Sequence, residues 1–332
     1  MDLRTNYLGI ELPHPLVVGA SPICDDLELA KRAVDAGASA IVMHSLFEEQ
    51  IDLENATQAW VVSHGDSFAE AGSYLPAPRE YVLGPDAYLD QIGKLKRQFR
   101  VPIIASLNGI SETGWLHYAR LIEQAGADAL ELNVYASAHD AHDTALMIED
   151  RVVRMVQRVV AETTLPVAVK LSPFWTSLAN LALRLEGSGA KGLVVFNRFY
   201  QPDIDPERLE VALTLRLSDP SELLLRLRWL AVLSGRTKLS LACSGGVHSG
   251  HDALKAVLAG AHCVQMVSAL LHRGPEHIVK VKQDLERWLA DHEYRSLKQA
   301  QGSMNLVHTP QPELYERGNY LKILQGYARS MR

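Results

Sequence analysis

Cysteine is scarce in this chain of 332 residues, which holds only Cys24, Cys243 and Cys263. An odd, scattered set excludes a disulfide framework, and no pair has metal-ligand spacing, so no metal site is expected. A reducing, cytoplasmic setting is the expectation. Basic residues are not in excess either: 33 Lys and Arg against 39 Asp and Glu leave a net charge of −6. Nucleic acid and anionic membrane surfaces both need a basic face and are poor partners for such a chain. Long apolar runs are missing as well, and none approaches the roughly 20 residues of a membrane span. The opening residues, Met1-Asp2-Leu3-Arg4-Thr5, lack the basic and apolar regions of a signal peptide. A soluble protein acting on a small molecule is what these absences leave.

What is there is a regular alternation. Short buried runs rich in Val, Ile and Leu occur at 16–22, 40–46, 101–109, 129–135, 166–173, 192–198, 239–246 and 263–270. Each is nearly continuous in hydrophobicity, as a strand covered on both faces must be. Segments of helical period lie between them, clearest at 27–35, 115–124, 148–160 and 253–258. Several end in Ala-Gly-Ala or Ser-Gly-Ala, at Gly37, Gly126, Gly189 and Gly260, which suits the left-handed residue that closes a helix. Eight strand–helix units without a reversal of order predict a single (β/α)8 TIM barrel rather than an open sheet. No flexible linker divides the chain, so one domain is expected over 1–332. Its core spans about 8–290, and a tail at 292–332 packs on the barrel or meets a partner subunit. Two connections, 47–85 and 199–220, are long enough to be binding loops, the second with a short hairpin at 211–217.

Three features carry chemistry. Ser244-Gly245-Gly246-Val247 ends the seventh run, where glycines let backbone amides approach an anion before a helix begins near Gly250. Ser268 and Ala269, at the end of the eighth run, complete the place where barrels commonly hold a phosphate. Lys170 stands inside a buried run, where an ammonium is costly unless it meets an anion or acceptor. Asn108, Asn133 and Asn197 end the third, fourth and sixth runs, although asparagine is a poor strand former. Their amides suit the edge of a heterocycle.

Ala-Ser-Leu-Asn-Gly at 105–109, Gly-Ala-Asp-Ala-Leu-Glu-Leu-Asn at 126–133, Val-Lys-Leu-Ser-Pro at 169–173 and Ser-Gly-Gly-Val at 244–247 resemble the dihydroorotate dehydrogenase family. The resemblance runs from about residue 8 to 274. It implies FMN over the barrel mouth, with Ala20 and Ser21 against the flavin and Asn108, Asn133 and Lys170 on its ring or ribityl chain. Gly245, Gly246, Ser268 and Ala269 would cradle the phosphate, and Phe196 and Asn197 would lie between flavin and substrate, where Asn133 also reaches. The implied chemistry is hydride transfer between flavin N5 and a carbon of a small planar, pyrimidine-like substrate, with a base taking a proton from the neighbouring carbon. A homodimer is implied too.

The chain departs from the family where that base should stand. The loop after the fourth run normally reads Asn, two residues, Cys or Ser, Pro-Asn; here the base position is Ala136 and the second asparagine is Ala138. A lysine expected at the end of the second run is His44, and a serine after the sixth is Arg198. Ser137 and His44 are the candidate catalytic residues, with Tyr135 and His139 as alternatives. Cys24 reads as a packed small residue with no histidine at a diagnostic spacing. Two other readings stay open: a flavin-bound subunit without autonomous dihydroorotate turnover, and a non-redox phosphate-binding barrel isomerase or lyase. The latter would need a carboxylate such as Glu131 to face inward.

Overall fold

The computed structural model describes residues 1–47, 84–109, 114–134, 138–197, 202–212, 216–315 and 325–326. A hairpin of β1 (Thr5–Tyr7) and β2 (Ile10–Leu12) precedes β3 (Leu16–Val18), α1 (Leu27–Asp35) and β4 (Ile41–Phe47). Then follow α2 (Pro85–Gln98), β5 (Ile103–Gly109), α3 (Gly114–Gln124), β6 (Ala129–Val134) and α4 (Ala145–Glu162). After β7 (Val167–Leu171), α5 (Leu178–Gly187) and β8 (Gly192–Val195) comes a second hairpin, β9 (Asp203–Asp205) with β10 (Glu210–Ala212). The chain continues through α6 (Leu223–Leu233), β11 (Ser240–Ser244), α7 (Gly250–Ala259) and β12 (Cys263–Met266). After it come α8 (Ser268–Arg273), α9 (His277–Asp291), α10 (Leu297–Ala300) and a 3-10 turn at Pro312–Tyr315. The eight parallel strands β3 to β8, β11 and β12 close on themselves, β12 pairing with β3, so the chain is a (β/α)8 barrel.

The helices form where the apolar spacing matches their turn. In α5, Leu178, Leu181, Ala182 and Leu185 make one buried stripe, and in α2 Tyr88, Ile92 and Leu95 do the same. Asp26 caps α1 by accepting from the amides of Glu28 and Leu29, and Ser249 caps α7 through the amide of Asp252. Gly37, Gly126, Gly189 and Gly260 all have positive φ, as their place after a helix requires.

Two expected boundaries move. The eighth strand stops at Met266, and Ser268 and Ala269 open a short helix instead of ending a strand. The hairpin in the long loop after β8 uses residues 203–205 and 210–212, upstream of the expected 211–217. Its strands are short and exposed, so no buried periodicity marks them in the sequence. The expected loop at 47–85 lies almost wholly outside the described residues. Among those described, no helix is long and apolar enough to cross a membrane.

Inside the barrel the side chains stack in levels. Val17, Val42, Ile104, Ala129, Ala168, Val194, Ala242 and Cys263 fill the lower end, against Tyr7, Leu8 and Leu12 of the first hairpin. That hairpin plugs the base so closely that a Cβ on Gly192 would meet Leu8 Cδ2 at 2.4 Å. Closing the base with apolar side chains leaves the polar residues of β5, β6, β7 and β11 at the opposite end, where barrel sites form.

His14, just before β3, ties the base to the helix layer. Its Nδ1 accepts from the amide of Leu16, so the proton sits on Nε2, which donates to the carbonyl of Gly37 at 2.6 Å. Burial pulls its pKa down from 6.5 to about 4. The folded ring therefore binds fewer protons than the unfolded one between those values. Stability should be full above about pH 6.5 and fall as the pH drops toward 4, by at most about 3 kcal/mol. Denaturant unfolding of the wild type and His14→Gln at pH 7 and 4.5 should show a smaller acid loss in the variant.

Candidate active site

The charged level of the barrel lies directly above the apolar one. Glu131 from β6, Lys170 from β7 and Gln265 from β12 all point to the axis. Lys170 Nζ donates to Glu131 Oε1 at 3.1 Å and to Gln265 Oε1 at 3.4 Å, and Gln265 Nε2 donates to Glu131 Oε2 at 2.5 Å. The inward register required of Glu131 is thus met, but its partner is Lys170. Both side chains are nearly inaccessible, with 1% and 7% of their surfaces exposed. Lys170 is therefore held by an internal anion and still lines the cavity above.

One step higher, Asn108 and Asn133 are cross-strand neighbours on β5 and β6 and are both buried. Asn133 Nδ2 donates to Ser45 Oγ at 3.3 Å, while its Oδ1 is buried without a hydrogen-bond partner among the described residues. Ser45 and Ser106 share a hydrogen bond at 2.8 Å. Ser21 Oγ is likewise buried and unpartnered. Orphaned polar atoms cost free energy in a finished core, so they point to a ligand that supplies the missing partner.

A cavity of about 250 Å³ opens beside these groups. Of the residues singled out in the sequence, Ala20, Ser21, Lys170, Phe196, Asn197, Gly245 and Ser268 line it. Asn108, Asn133, Gly246 and Ala269 lie outside its wall. His44 also stands apart: a register shift between Val42 and Ser45 turns it away from the axis. There its Nδ1 is 2.5 Å from Asp25 Oδ1 and its ring meets Tyr88 edge-on at 5.3 Å. Tyr135, Ala136 and Ser137 lie outside the described residues, and His139 is exposed.

Cys24 is fully buried, as a packed residue should be. Twenty residues of sequence separation conceal that its Sγ lies 3.6 Å from His44 Nδ1. Burial pushes the thiol pKa well up, and the thiol donates to the carbonyl of Ser21 at 3.0 Å. A protonated thiol used in this way is neither a nucleophile nor a thiolate ligand.

Three loops meet at the glycine turn beside the cavity. Gly245 and Gly246 have φ of +96° and +79°, and a Cβ on Gly246 would meet the Leu223 nitrogen at 2.5 Å. Ser218, from the loop before α6, links them to the last strand. Its hydroxyl accepts from the Gly246 amide at 3.2 Å and shares a hydrogen bond with Ser268 Oγ at 2.8 Å. Its amide donates to Ser268 Oγ at 2.9 Å, and its carbonyl accepts from His248 Nε2 at 2.7 Å. Arg226, buried on α6, donates through Nε to the Ser244 carbonyl at 2.8 Å. Ser218, Glu222 and Arg226 all line the cavity, and none was singled out in the sequence. An arginine inside the apolar stretch LLLRLRWLAVL was the available signal for one of them.

A closed parallel barrel with a plugged base, polar strand ends and a glycine turn at one rim has the architecture of a small-molecule barrel enzyme. The profile of the dihydroorotate dehydrogenase family matches residues 3–289, and the chain belongs to that family of flavin-dependent oxidoreductases. It is similar to the chloroplastic NADP(+) dihydropyrimidine dehydrogenase of Arabidopsis thaliana, at 24% identity over 95% of this chain and 80% of that protein. It is 28% identical to the catalytic subunit of dihydroorotate dehydrogenase B (NAD(+)) of Pyrococcus abyssi, over 90% of this chain and 98% of that one. The NAD-dependent dihydropyrimidine dehydrogenase subunit PreA of Escherichia coli K12 is 23% identical over 94% of this chain and 79% of that subunit.

The buried ion pair makes its own prediction. Removing one partner of such a pair strands the other charge and typically costs roughly 3–5 kcal/mol. Glu131→Leu should therefore lower unfolding free energy by about that amount, and adding Lys170→Met should restore most of it. Urea unfolding of the two variants and the wild type measures both changes.

Proposed function

We propose that the protein is an FMN-dependent oxidoreductase acting on the CH–CH bond of a small planar, pyrimidine-like substrate. The observation that carries this is one cavity holding a buried lysine, an orphaned hydroxyl and a glycine cradle: Lys170, Ser21 and Gly245. A phosphorylated flavin fits that set, having a polar ring edge for the amides and hydroxyls and an anion for the cradle. Family membership and relatives named for dihydroorotate or dihydropyrimidine dehydrogenation support the substrate class.

In this reading Ala20, Ser21, Asn108, Asn133, Lys170 and Phe196 hold the flavin ring and its chain. Gly245, Gly246, Ser268 and Ala269 hold the phosphate, while Asn133 and Asn197 orient the substrate. The flavin, when bound, supplies hydride exchange with a substrate carbon. The chain supplies the proton transfer. His44 Nδ1 lies 2.5 Å from Asp25 Oδ1 and 3.6 Å from Cys24 Sγ, which places an imidazole beside a carboxylate. His44, which stands outside the cavity wall, is one candidate for the base. Ser137, outside the described residues, is the second. A cytoplasmic homodimer is the assembly we propose.

A second reading has its own support. Two of the relatives are named as subunits, and the family's base position is Ala136 here. A flavin-bound subunit that needs a partner for turnover is consistent with both.

Purified protein should be yellow and its flavin should bleach anaerobically with a substrate from a panel of dihydroorotate, dihydropyrimidines and NAD(P)H. Protein that cannot be loaded with FMN would overturn the main reading. Bleaching by substrate without steady-state turnover would favour the subunit reading. His44→Asn should slow flavin reduction by substrate about 10²-fold or more while leaving flavin binding intact, since a general base contributes about 10²–10⁴. An unchanged reduction rate would remove His44 from the chemistry.

A further inference from the structure

We propose that Cys24, Asp25 and His44 form a three-ligand site for a divalent transition-metal ion of the zinc class, with a fourth position left to water. The proposal goes beyond the flavin reading and does not rest on it. No local motif announces the site, because its ligands come from the turn after β3 and from β4, twenty residues apart.

The three ligand atoms all lie within 4.8 Å of one another. Cys24 Sγ is 3.3 Å from Asp25 Oδ1 and 3.6 Å from His44 Nδ1. With metal–ligand bonds of about 2.0–2.3 Å, neighbouring ligands of a tetrahedral ion stand roughly 3.3–3.6 Å apart. Both sulfur contacts already match. Only the contact between His44 Nδ1 and Asp25 Oδ1, at 2.5 Å, must open, by less than about 1 Å. Asp25 can supply that movement, since 33% of its side chain is exposed. The same open side is the way in for an ion, because Cys24 is itself buried.

Separate features of the fold bring the group together. A 3-10 turn at Pro22–Cys24 carries the thiol and ends on Asp25. The register shift between Val42 and Ser45 turns His44 toward them, and Tyr88 packs edge-on against its ring. Gln91, buried on α2, donates through Nε2 to the carbonyl of Cys24 at 2.8 Å and to that of Asp25 at 3.2 Å. The His44 amide donates to Cys24 Sγ at 3.2 Å, a bond that a thiolate accepts better than a thiol. Contacts of this kind, behind the ligands, are what orient a metal site. A protonated thiol is no ligand, but a bound dication deprotonates a coordinating thiol outright. The thiol proton would pass to water and the imidazole proton would rest on Nε2. Thiolate and carboxylate would then cancel the charge of the ion, and a neutral complex suits a half-buried place. The mixed sulfur, nitrogen and oxygen set favours zinc or cobalt over magnesium or calcium, which take oxygen. An ion held there would tie the loop whose Ala20, Ser21 and Pro22 line the cavity to β4.

The test titrates the full chain, freed of metal by a chelator, with Zn²⁺ by calorimetry and with Co²⁺ by difference absorbance, which subtracts any flavin. The wild type should take up one Zn²⁺ per chain. Bound Co²⁺ should show the visible bands of a tetrahedral ion together with a thiolate-to-cobalt charge-transfer band. Cys243 and Cys263 are buried in β11 and β12, so that band reports Cys24. Cys24→Ser should abolish it and, like His44→Asn, weaken Zn²⁺ by at least about 10–100-fold, the loss that follows even when a residue behind a ligand is removed. Should Cys24→Ser fail to fold, Asp25→Asn and His44→Asn on the partly exposed side decide the matter by the same loss. Cobalt bound without a charge-transfer band, zinc affinity unchanged by these variants, or uptake of neither ion would overturn the proposal.

Discussion

The buried contact between Glu131 and Lys170 is the constraint on which the upper half of the barrel depends. An ammonium on a strand interior either finds an anion or loses its charge. Here β6 supplies the anion, and Gln265 of β12 closes the triangle from across the barrel. Because Glu131 is two residues before Asn133, the same inward phase that makes the ion pair also aims Asn133 at the mouth. A slip of one residue in β6 would lose both together. Lys170 is thereby fixed at the floor of the cavity, neutralised from below and open to a ligand above. The apolar level and the hairpin plug beneath it keep water from reaching the pair from the base.

The second organising element is Ser218, a single residue that joins three loops. Through its amide, hydroxyl and carbonyl it contacts Ser268, Gly246 and His248. His248 in turn accepts at its carbonyl from His277 of α9, so the cradle is braced by the outer helix layer. The Gly245 turn is thus held on both sides, by Ser218 toward the cavity and by Arg226 beneath. Preorganised amides of this kind favour an anion because their reorganisation was completed during folding.

Much of this architecture was legible in the sequence, for identifiable reasons. The barrel strands are buried on both faces, so they stand out as continuous apolar runs, and the helix-ending glycines punctuate them. Lys170, Gly245 and the strand-end asparagines were legible because each breaks a local rule in a buried strand. What was not legible lies in contacts between loops. Ser218 looks like any turn serine, and its role comes from Ser268, fifty residues away. Arg226 did break a local rule, but which face of α6 is buried could not be known before that helix was placed over β11. Ser268 and Ala269 were expected on a strand because apolar residues continue past Met266; the chain instead turns into α8, which starts at the cradle.

His44 shows why a matched position is not a matched location. By sequence it stands where the family carries a lysine, two residues past Val42, and a regular strand would aim it inward as it does Val42. The shift between Val42 and Ser45 inserts one residue into that alternation. Val42 faces the barrel and Met43 faces the helices; Ser45 faces the barrel again, opposite Ser106. His44 is the residue left over. It is taken up by Asp25 and Tyr88, groups on the first loop and on α2, and its backbone amide donates to Cys24 Sγ at 3.2 Å. A hydroxyl thus fills the axial place beside Asn133, and the imidazole is moved beside a carboxylate. An axial cation at that level would sit near Lys170 and add like charge to the same low-dielectric space. With the bulge, Lys170 keeps Glu131 as its counter-charge, and His44 stands off the axis beside Asp25 and Tyr88.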